Sequence, residues 1–169
     1  AKGTTTVAGM YVLLTKHGPL FLADTTINEI PTVEEIVEIT VSTARVVKSI
    51  NYVPKIALLS YSNFGSHKGV IPQKMRKATE ILQRDYPELI VDGEMQANFA
   101  TDEDLLAEVF PFSNLVGNRP NVFIFPELAA GNIAYKMLQS FGALEAIGPL
   151  LIGVEKSAHV LQMGSSVRE

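Results

Sequence analysis

Three short stretches carry the side chains whose types and spacing could do chemistry. The first, "SYSNFGSHKG" at 60–69, sets Ser60, Ser62, Asn63, Gly65 and Ser66 where an apolar run gives way to a loop. Hydroxyls and exposed backbone N–H groups in such a place can hold a phosphate or a thioester oxygen, or they can cap one another in an ordinary turn. It is neither a Walker loop nor a dinucleotide fingerprint, because "GxxxxGK[ST]" and "GxGxxG" are both absent. In the second, "IVDGEMQ", Asp92 and Glu94 are one residue apart. Two carboxylates at that spacing could form an acid–base pair, but Asp-Gly reads first as a turn with solvated acids. The third, "PELAAGN", brings Ala129, Ala130 and Gly131 ahead of a helix starting near Asn132. Small residues there admit either a ligand at the positive helix end or tight packing of the loop on the sheet.

Other chemistries are excluded or disfavoured. No cysteine is present, which removes disulfides, thiolate catalysis and cysteine zinc sites. His17, His67 and His159 lack ligand spacing, so no metal site is expected. A net charge of -4 argues against a nucleic-acid surface, which needs a basic stripe to neutralise phosphates. The longest apolar runs fall far short of the roughly 20 residues of a bilayer span, and residues 1–20 lack a signal-peptide layout, so no membrane partner is expected and the location expected is cytoplasmic.

The elements that must position these stretches follow from periodicity. A chain of 169 residues, 47% hydrophobic, can bury one substantial core. Met10–Leu14 and Pro19–Ala23 flank a polar Lys16-His17-Gly18 turn and predict a β-hairpin. "PTVEEIVEITVSTARVVKSI" predicts an amphipathic helix opened by a Thr32/Glu35 capping box. From there strands "KIALLSY", "ELIVDG", "NVFIFP" and "IGPLLIGV" alternate with helices at "QKMRKATEILQRDY", at "TDEDLLAEVF" with a Thr101 to Asp104 cap, and at Asn132–Phe141. The fold expected is α/β, three layers, around a mixed and mostly parallel sheet. Ligands in open sheets of this kind gather beyond the carboxyl ends of the strands, where all three stretches lie.

Five blocks, "FLADTTINEIPTVEEIVEI", "PKIALLSYSNFGS", "RKATEILQRDYPELIVDGEMQ", "NVFIFPELAAGNIAYK" and "EAIGPLLIGVEKSAHVLQMGSSVRE", resemble the phosphate acetyltransferase family in order and in spacing, from about Val7 to Glu169. The "SNFGS" loop and the "HVLQ" ending are most similar to one branch, the carboxy-terminal domain of large bacterial NADP-dependent malic enzymes. The resemblance implies an isocitrate/isopropylmalate dehydrogenase-like architecture. It also implies that residues 1–169 form mostly the second lobe of a phosphotransacetylase-like domain, a piece of a multidomain protein that continues past Glu169 into a further helix.

It further implies what the site should do. Family members carry a Ser-Arg pair and a later Asp in the final block, where this sequence has Gln162, Met163 and Glu169. Methionine cannot counter phosphate charge, and losing one preorganised electrostatic group costs about 10²–10³ in rate. The functional expectation is therefore a regulatory, dimer-forming domain that senses acetyl-CoA or an acyl phosphate through Ser60, Ser62, Asn63, Gly65, Ser66 and Asn132. It would serve a malic enzyme catalytic domain on the same polypeptide, which converts malate to pyruvate and CO2. No cofactor is expected in this chain; NADP and Mg2+ or Mn2+ would belong to that catalytic domain. The alternatives are an active phosphate acetyltransferase interconverting acetyl phosphate and acetyl-CoA, and a purely structural oligomerisation module.

Overall fold

The computed structural model describes residues 6–142, 144–154 and 158–159. Strands β1 (Ala8–Thr15) and β2 (Gly18–Ala23) form the expected hairpin, with Met10 opposite Ala23 and Thr15 opposite Gly18. The chain continues through α1 (Val33–Ser49), β3 (Lys55–Leu59), α2 (Val70–Asp85), β4 (Ile90–Met95), α3 (Ala97–Thr101), α4 (Glu103–Val109), β5 (Val122–Ile124), α5 (Leu128–Gly142), β6 (Glu145–Ile152) and β7 (Ala158–His159). The sheet order is β4-β3-β5-β2-β1-β6-β7. Pairing is parallel from β4 through β3 and β5 to β2, and antiparallel from β2 through β1 and β6 to β7.

Two apolar layers follow from strand alternation, since successive side chains point to opposite faces. Phe21, Ile56, Leu58, Val122 and Ile124 face α1 and α2, meeting Ile36, Ile39, Val47, Met75 and Leu82. Leu22, Ala57 and Phe123 face the other way, toward Ala100 of α3, Leu106 of α4 and Tyr135 of α5. Each fully buried Leu, Ile or Phe in these layers contributes about 1.5–3 kcal/mol. Tyr135 also stacks on Tyr11, ring centroids 4.0 Å apart, which fastens α5 to the antiparallel half.

Helix starts were only partly where the pattern puts them. The capping box of α1 is present: Glu35 N donates to Thr32 Oγ1 at 3.2 Å and Thr32 N to Glu35 Oε2 at 2.7 Å. The expected Thr101 cap is replaced by Asp102, which accepts from Leu105 N at 2.9 Å, while the Thr101 hydroxyl donates to Ala97 O inside α3. Helix α2 opens at Val70, three residues before the expected segment, because Pro72 sits in a first turn where its missing N–H has no intrahelical acceptor. Helix α5 opens at Leu128 rather than Asn132, so Gly131 lies inside its first turn. A Cβ on Gly131 would collide with the backbone oxygen of Asp24. Tight packing, one of the two readings of "AAGN", is therefore what the small residue provides.

Lys74 of α2 ties three segments together at the carboxyl edge of the parallel strands. Its ammonium donates to Pro31 O at 2.9 Å and to Pro126 O at 2.7 Å. Burial holds its pKa below the ordinary lysine value, against the opposing pull of Glu127 and Glu35. A base with a depressed folded pKa binds fewer protons folded than unfolded, so the penalty for the charged amine is fully present below the folded pKa. It is relieved as the pH climbs through the folded value toward the ordinary lysine range. We predict that the stability difference between wild type and Lys74→Met, read from urea unfolding at several pH values, shifts in favour of wild type from neutral pH into that range. A difference independent of pH would contradict it.

Candidate functional site

The parallel strands β2, β3, β4 and β5 all end on one edge of the sheet, and the stretches singled out above meet there. The central feature is Glu94. Pairing of β3 with β4 runs Leu58 to Gly93 and then Leu59 to Met95, so Glu94 is the extra residue of a bulge. Bulges re-aim a side chain, and this one directs a carboxylate with 0% exposure into the loop that follows β3. Asp-Gly-Glu is thus not a turn with solvated acids: the expectation fails because a bulge and a turn both use glycine. Gly93 has φ +151, and a Cβ there would lie 2.6 Å from Leu58 O.

The loop closes on that carboxylate. Ser62 Oγ donates to Glu94 Oε1 at 3.1 Å and Gly65 N at 2.5 Å, while Phe64 N donates to the Glu94 carbonyl at 2.8 Å. Phe64 at φ +46 and Gly65 at φ +87 form a consecutive left-handed pair that turns the Gly65 N–H inward. The Phe64 side chain secures this conformation by packing on Phe110 and Phe112, centroids 4.9 and 5.0 Å away. Ser66 Oγ accepts from Asn63 N at 3.0 Å and lies 3.1 Å from Ser62 Oγ; Asn63 Oδ1 accepts from Gln96 N at 2.8 Å. The hydroxyls therefore do cap one another, and the anion that the loop holds is the protein's own. Two buried atoms, Ser60 Oγ and Glu94 Oε2, have no hydrogen-bond partner among the described residues.

Asp92 is buried as well, but in a separate network. It accepts from Ser113 Oγ at 2.8 Å, Asn114 N at 2.9 Å and Gln83 Nε2 at 3.2 Å. The two acids thus serve different loops and share no hydrogen-bond partner.

A second part of the edge lies around β2 and β5. Asp24, 3% exposed, accepts on Oδ1 from the backbone N–H groups of Gly9, Thr26 and Ile27, and on Oδ2 from Asn28 N and Nδ2. These bonds set one wall of a cavity of about 590 Å³, lined by Thr25, Thr26, Glu29, Glu127, Leu128 and Asn132 among others. That volume falls in the range of ligand pockets. Asn132 Nδ2 donates to Thr25 O at 3.2 Å. Ser60, Ser62, Asn63, Gly65 and Ser66 thus gather after β3 and Asn132 stands at this neighbouring cavity; Gln162, Met163 and Glu169 lie outside the described residues.

Sequence reasoning passed over three residues here. Asp24 opens an "DTTIN" run whose Asn and threonines are an Asx-turn signal. Lys74 looked like one more charge on an amphipathic helix. Arg76 comes so close to the serine loop that a Cβ on Gly65 would sit 2.5 Å from its Nη1, and Arg76 makes no ion pair among the described residues. Among those residues there is also no group of three or more His, Cys, Asp or Glu placed to hold a metal ion, and no helix long and apolar enough to cross a membrane.

An α/β sheet with its loops gathered at one carboxyl edge matches a known family. The phosphate acetyl/butaryl transferase profile aligns with residues 1–169, and the chain belongs to that family. Particular relatives divide into two kinds. An NADP-dependent malic enzyme of Haemophilus influenzae is 40% identical over 166 residues, covering 98% of this chain and 22% of that protein. A phosphate acetyltransferase of Clostridium acetobutylicum is 38% identical over 173 residues, covering 98% of this chain and 52% of that protein. Among solved structures, a phosphotransacetylase from Streptococcus pyogenes superposes with a TM-score of 0.91 at 38% identity, over 99% of this chain and 51% of that one. The chain therefore spans about a fifth of that malic enzyme and about half of each of these two transferases.

Removing the bulged carboxylate isolates its contribution. Glu94→Ala leaves the Ser62 hydroxyl and the Gly65 N–H without their acceptor, at about 1–3 kcal/mol for each buried group left unsatisfied. Glu94→Gln, which retains an accepting oxygen, should lose less. Gly93→Ala should lose about 1–3 kcal/mol from its backbone conformation alone. Urea denaturation of the three variants tests the set; equal losses for Glu94→Ala and Glu94→Gln would contradict the role given to Oε1.

Proposed function

We propose that this protein is the phosphotransacetylase-like, regulatory domain of an NADP-dependent malic enzyme, and that acetyl-CoA or an acyl phosphate binds at the carboxyl edge described above. The observation that carries this reading is Met163, a neutral thioether at the position where the resemblance implies a guanidinium for the departing phosphate. A site without that charge keeps the ability to bind while losing electrostatic stabilisation of the transition state. Binding acts on the malic enzyme part only if the ligand favours one arrangement of the assembly over another. NADP and a divalent metal are assigned in this reading to a catalytic part outside this chain, which spans 22% of the Haemophilus influenzae malic enzyme.

Homo-oligomerisation belongs to the same reading. Ile133, Met137 and Phe141, spaced four residues apart on α5, are 58%, 51% and 83% exposed, an apolar stripe suited to a second copy.

One observation favours the second reading, an active phosphate acetyltransferase: the Arg76 guanidinium beside the serine loop could supply the charge that Met163 lacks. Calorimetry with acetyl-CoA, together with an assay of acetyl transfer from acetyl phosphate to coenzyme A, separates the two. The regulatory reading expects binding with turnover close to background, unchanged in Arg76→Ala. Enzymic turnover that falls by about 10²-fold or more in Arg76→Ala would establish the transferase instead. Absence of heat at millimolar acetyl-CoA would remove both.

A further inference from the structure

The amino ends of the parallel strands frame a second opening, at the far end of the sheet from the site described above. Strand β2 begins at Gly18, β3 begins at Lys55, and Asn121 directly precedes β5. A cavity of about 460 Å³ opens between these starts and the segment that follows α1, a size that suits a small ligand. The five residues of β3 rise about 3.3 Å each, so roughly 16 Å of strand separates this cavity from the serine loop.

The backbone frame of the cavity is set by the protein alone. Asn121 joins the strand starts: its Oδ1 accepts from Lys55 N at 2.8 Å, its Nδ2 donates to Val53 O at 2.9 Å, its N–H donates to Lys55 O at 3.0 Å, and its carbonyl accepts from Phe21 N at 2.8 Å. In the hairpin turn, Thr15 Oγ1 donates to Gly18 O at 2.7 Å and accepts from His17 N at 3.1 Å. Pro120 disfavours helical backbone at Arg119. Asn51, left-handed at φ +66, turns the chain out of α1, and Tyr52 then meets the buried Phe21 edge-on, with centroids 6.1 Å apart and planes at 61°.

What this frame leaves uncommitted is its charge. Lys55, Arg119 and His17 line the cavity, and no Asp or Glu does so among the described residues. None of these three side chains forms an ion pair or a hydrogen bond among those residues. The carboxyl-edge cavity is the reverse case, with Glu29 and Glu127 in its wall, and the chain as a whole carries a net charge of -4. Unpaired cations grouped in a concavity focus a positive potential that concentrates anions. A guanidinium presents paired donors matched to a phosphate, and an ammonium adds a compact positive charge. Tyr52, 45% exposed, supplies an uncovered aromatic ring in the same cavity, and such a ring takes a planar partner by stacking. The combination selects a ligand with a phosphate at one end and a flat ring at the other.

We propose that this cavity binds a nucleoside monophosphate, with the phosphate on Arg119 and Lys55, His17 at the rim, and the base against Tyr52. The site is separate from the carboxyl edge and does not depend on the acyl-ligand reading of that edge. The test is titration of this chain with AMP, ribose phosphate and adenosine, followed by calorimetry and by amide NMR. AMP should shift the signals of residues 15–20, 52–55 and 119–121 while those of residues 60–66 stay in place. Adenosine, which lacks the phosphate, and ribose phosphate, which lacks the base, should each bind about 10-fold more weakly or worse. Arg119→Ala and Lys55→Ala should each weaken AMP by about 10-fold or more, with thermal unfolding as in wild type because neither side chain is bonded to the protein. Tyr52→Leu should bring AMP down to the affinity of ribose phosphate and leave ribose phosphate unchanged. No binding of AMP at millimolar concentration, an unchanged affinity in Arg119→Ala, or equal affinities for AMP and ribose phosphate would overturn the proposal. Acetyl-CoA on Arg119→Ala keeps the two sites apart: heat equal to wild type supports separate sites, and its loss would overturn that separation.

Discussion

The serine loop at the carboxyl edge depends on one buried carboxylate. Glu94 leaves the β4 ladder at a bulge and enters the loop after β3, where a hydroxyl and an amide of that loop bind one of its oxygens. A carboxylate without partners in such a place would be expensive, which is why the loop cannot relax away from it. The left-handed pair at Phe64 and Gly65, the aromatic packing of Phe64, and the positions of Ser62 and Ser66 are all consequences of satisfying that group. The loop is thereby shaped in the absence of any ligand, the condition that electrostatic preorganisation requires.

Charge also organises the neighbouring cavity, with the opposite sign. Lys74 holds the carbonyls of Pro31 and Pro126, one just ahead of α1 and the other between β5 and α5, while Asp24 gathers the amides of the loop after β2. A cation that collects carbonyls and an anion that collects amides solve the same problem, the unsatisfied backbone polar groups of buried loops. Both residues are structural in this role, and the cavity itself is lined by threonines, Asn132 and the two acids Glu29 and Glu127.

Periodicity made most of the architecture legible. The hairpin, the capped helix α1 and the strand–helix alternation follow from residue spacing, and the five sequence blocks pointed to the family that the profile confirms. What escaped was decided by tertiary contact. Asp-Gly-Glu has the composition of a turn, and only the Leu58 backbone opposite Gly93 makes it a bulge. Gly131 looked like a residue ahead of a helix, and it lies inside α5 where the backbone of Asp24, just after β2, approaches too closely for a side chain. The serine loop was correctly located by its hydroxyls, yet nothing local announces that its anion comes from Glu94, about thirty residues downstream.

Strand β2 pairs parallel with β5 on one side and antiparallel with β1 on the other. Asp24 is the residue immediately after it, and Gly9 on β1 supplies one of its amides. The alignment of the hairpin is governed by a tight turn at Lys16 and His17, at the opposite end of the molecule. Sliding that alignment by a single step would exchange the two faces of β2 and carry Asp24 out of reach of its donors. The geometry of a pocket wall is in this sense written in a distant surface turn, and an insertion there would unmake the pocket without touching it.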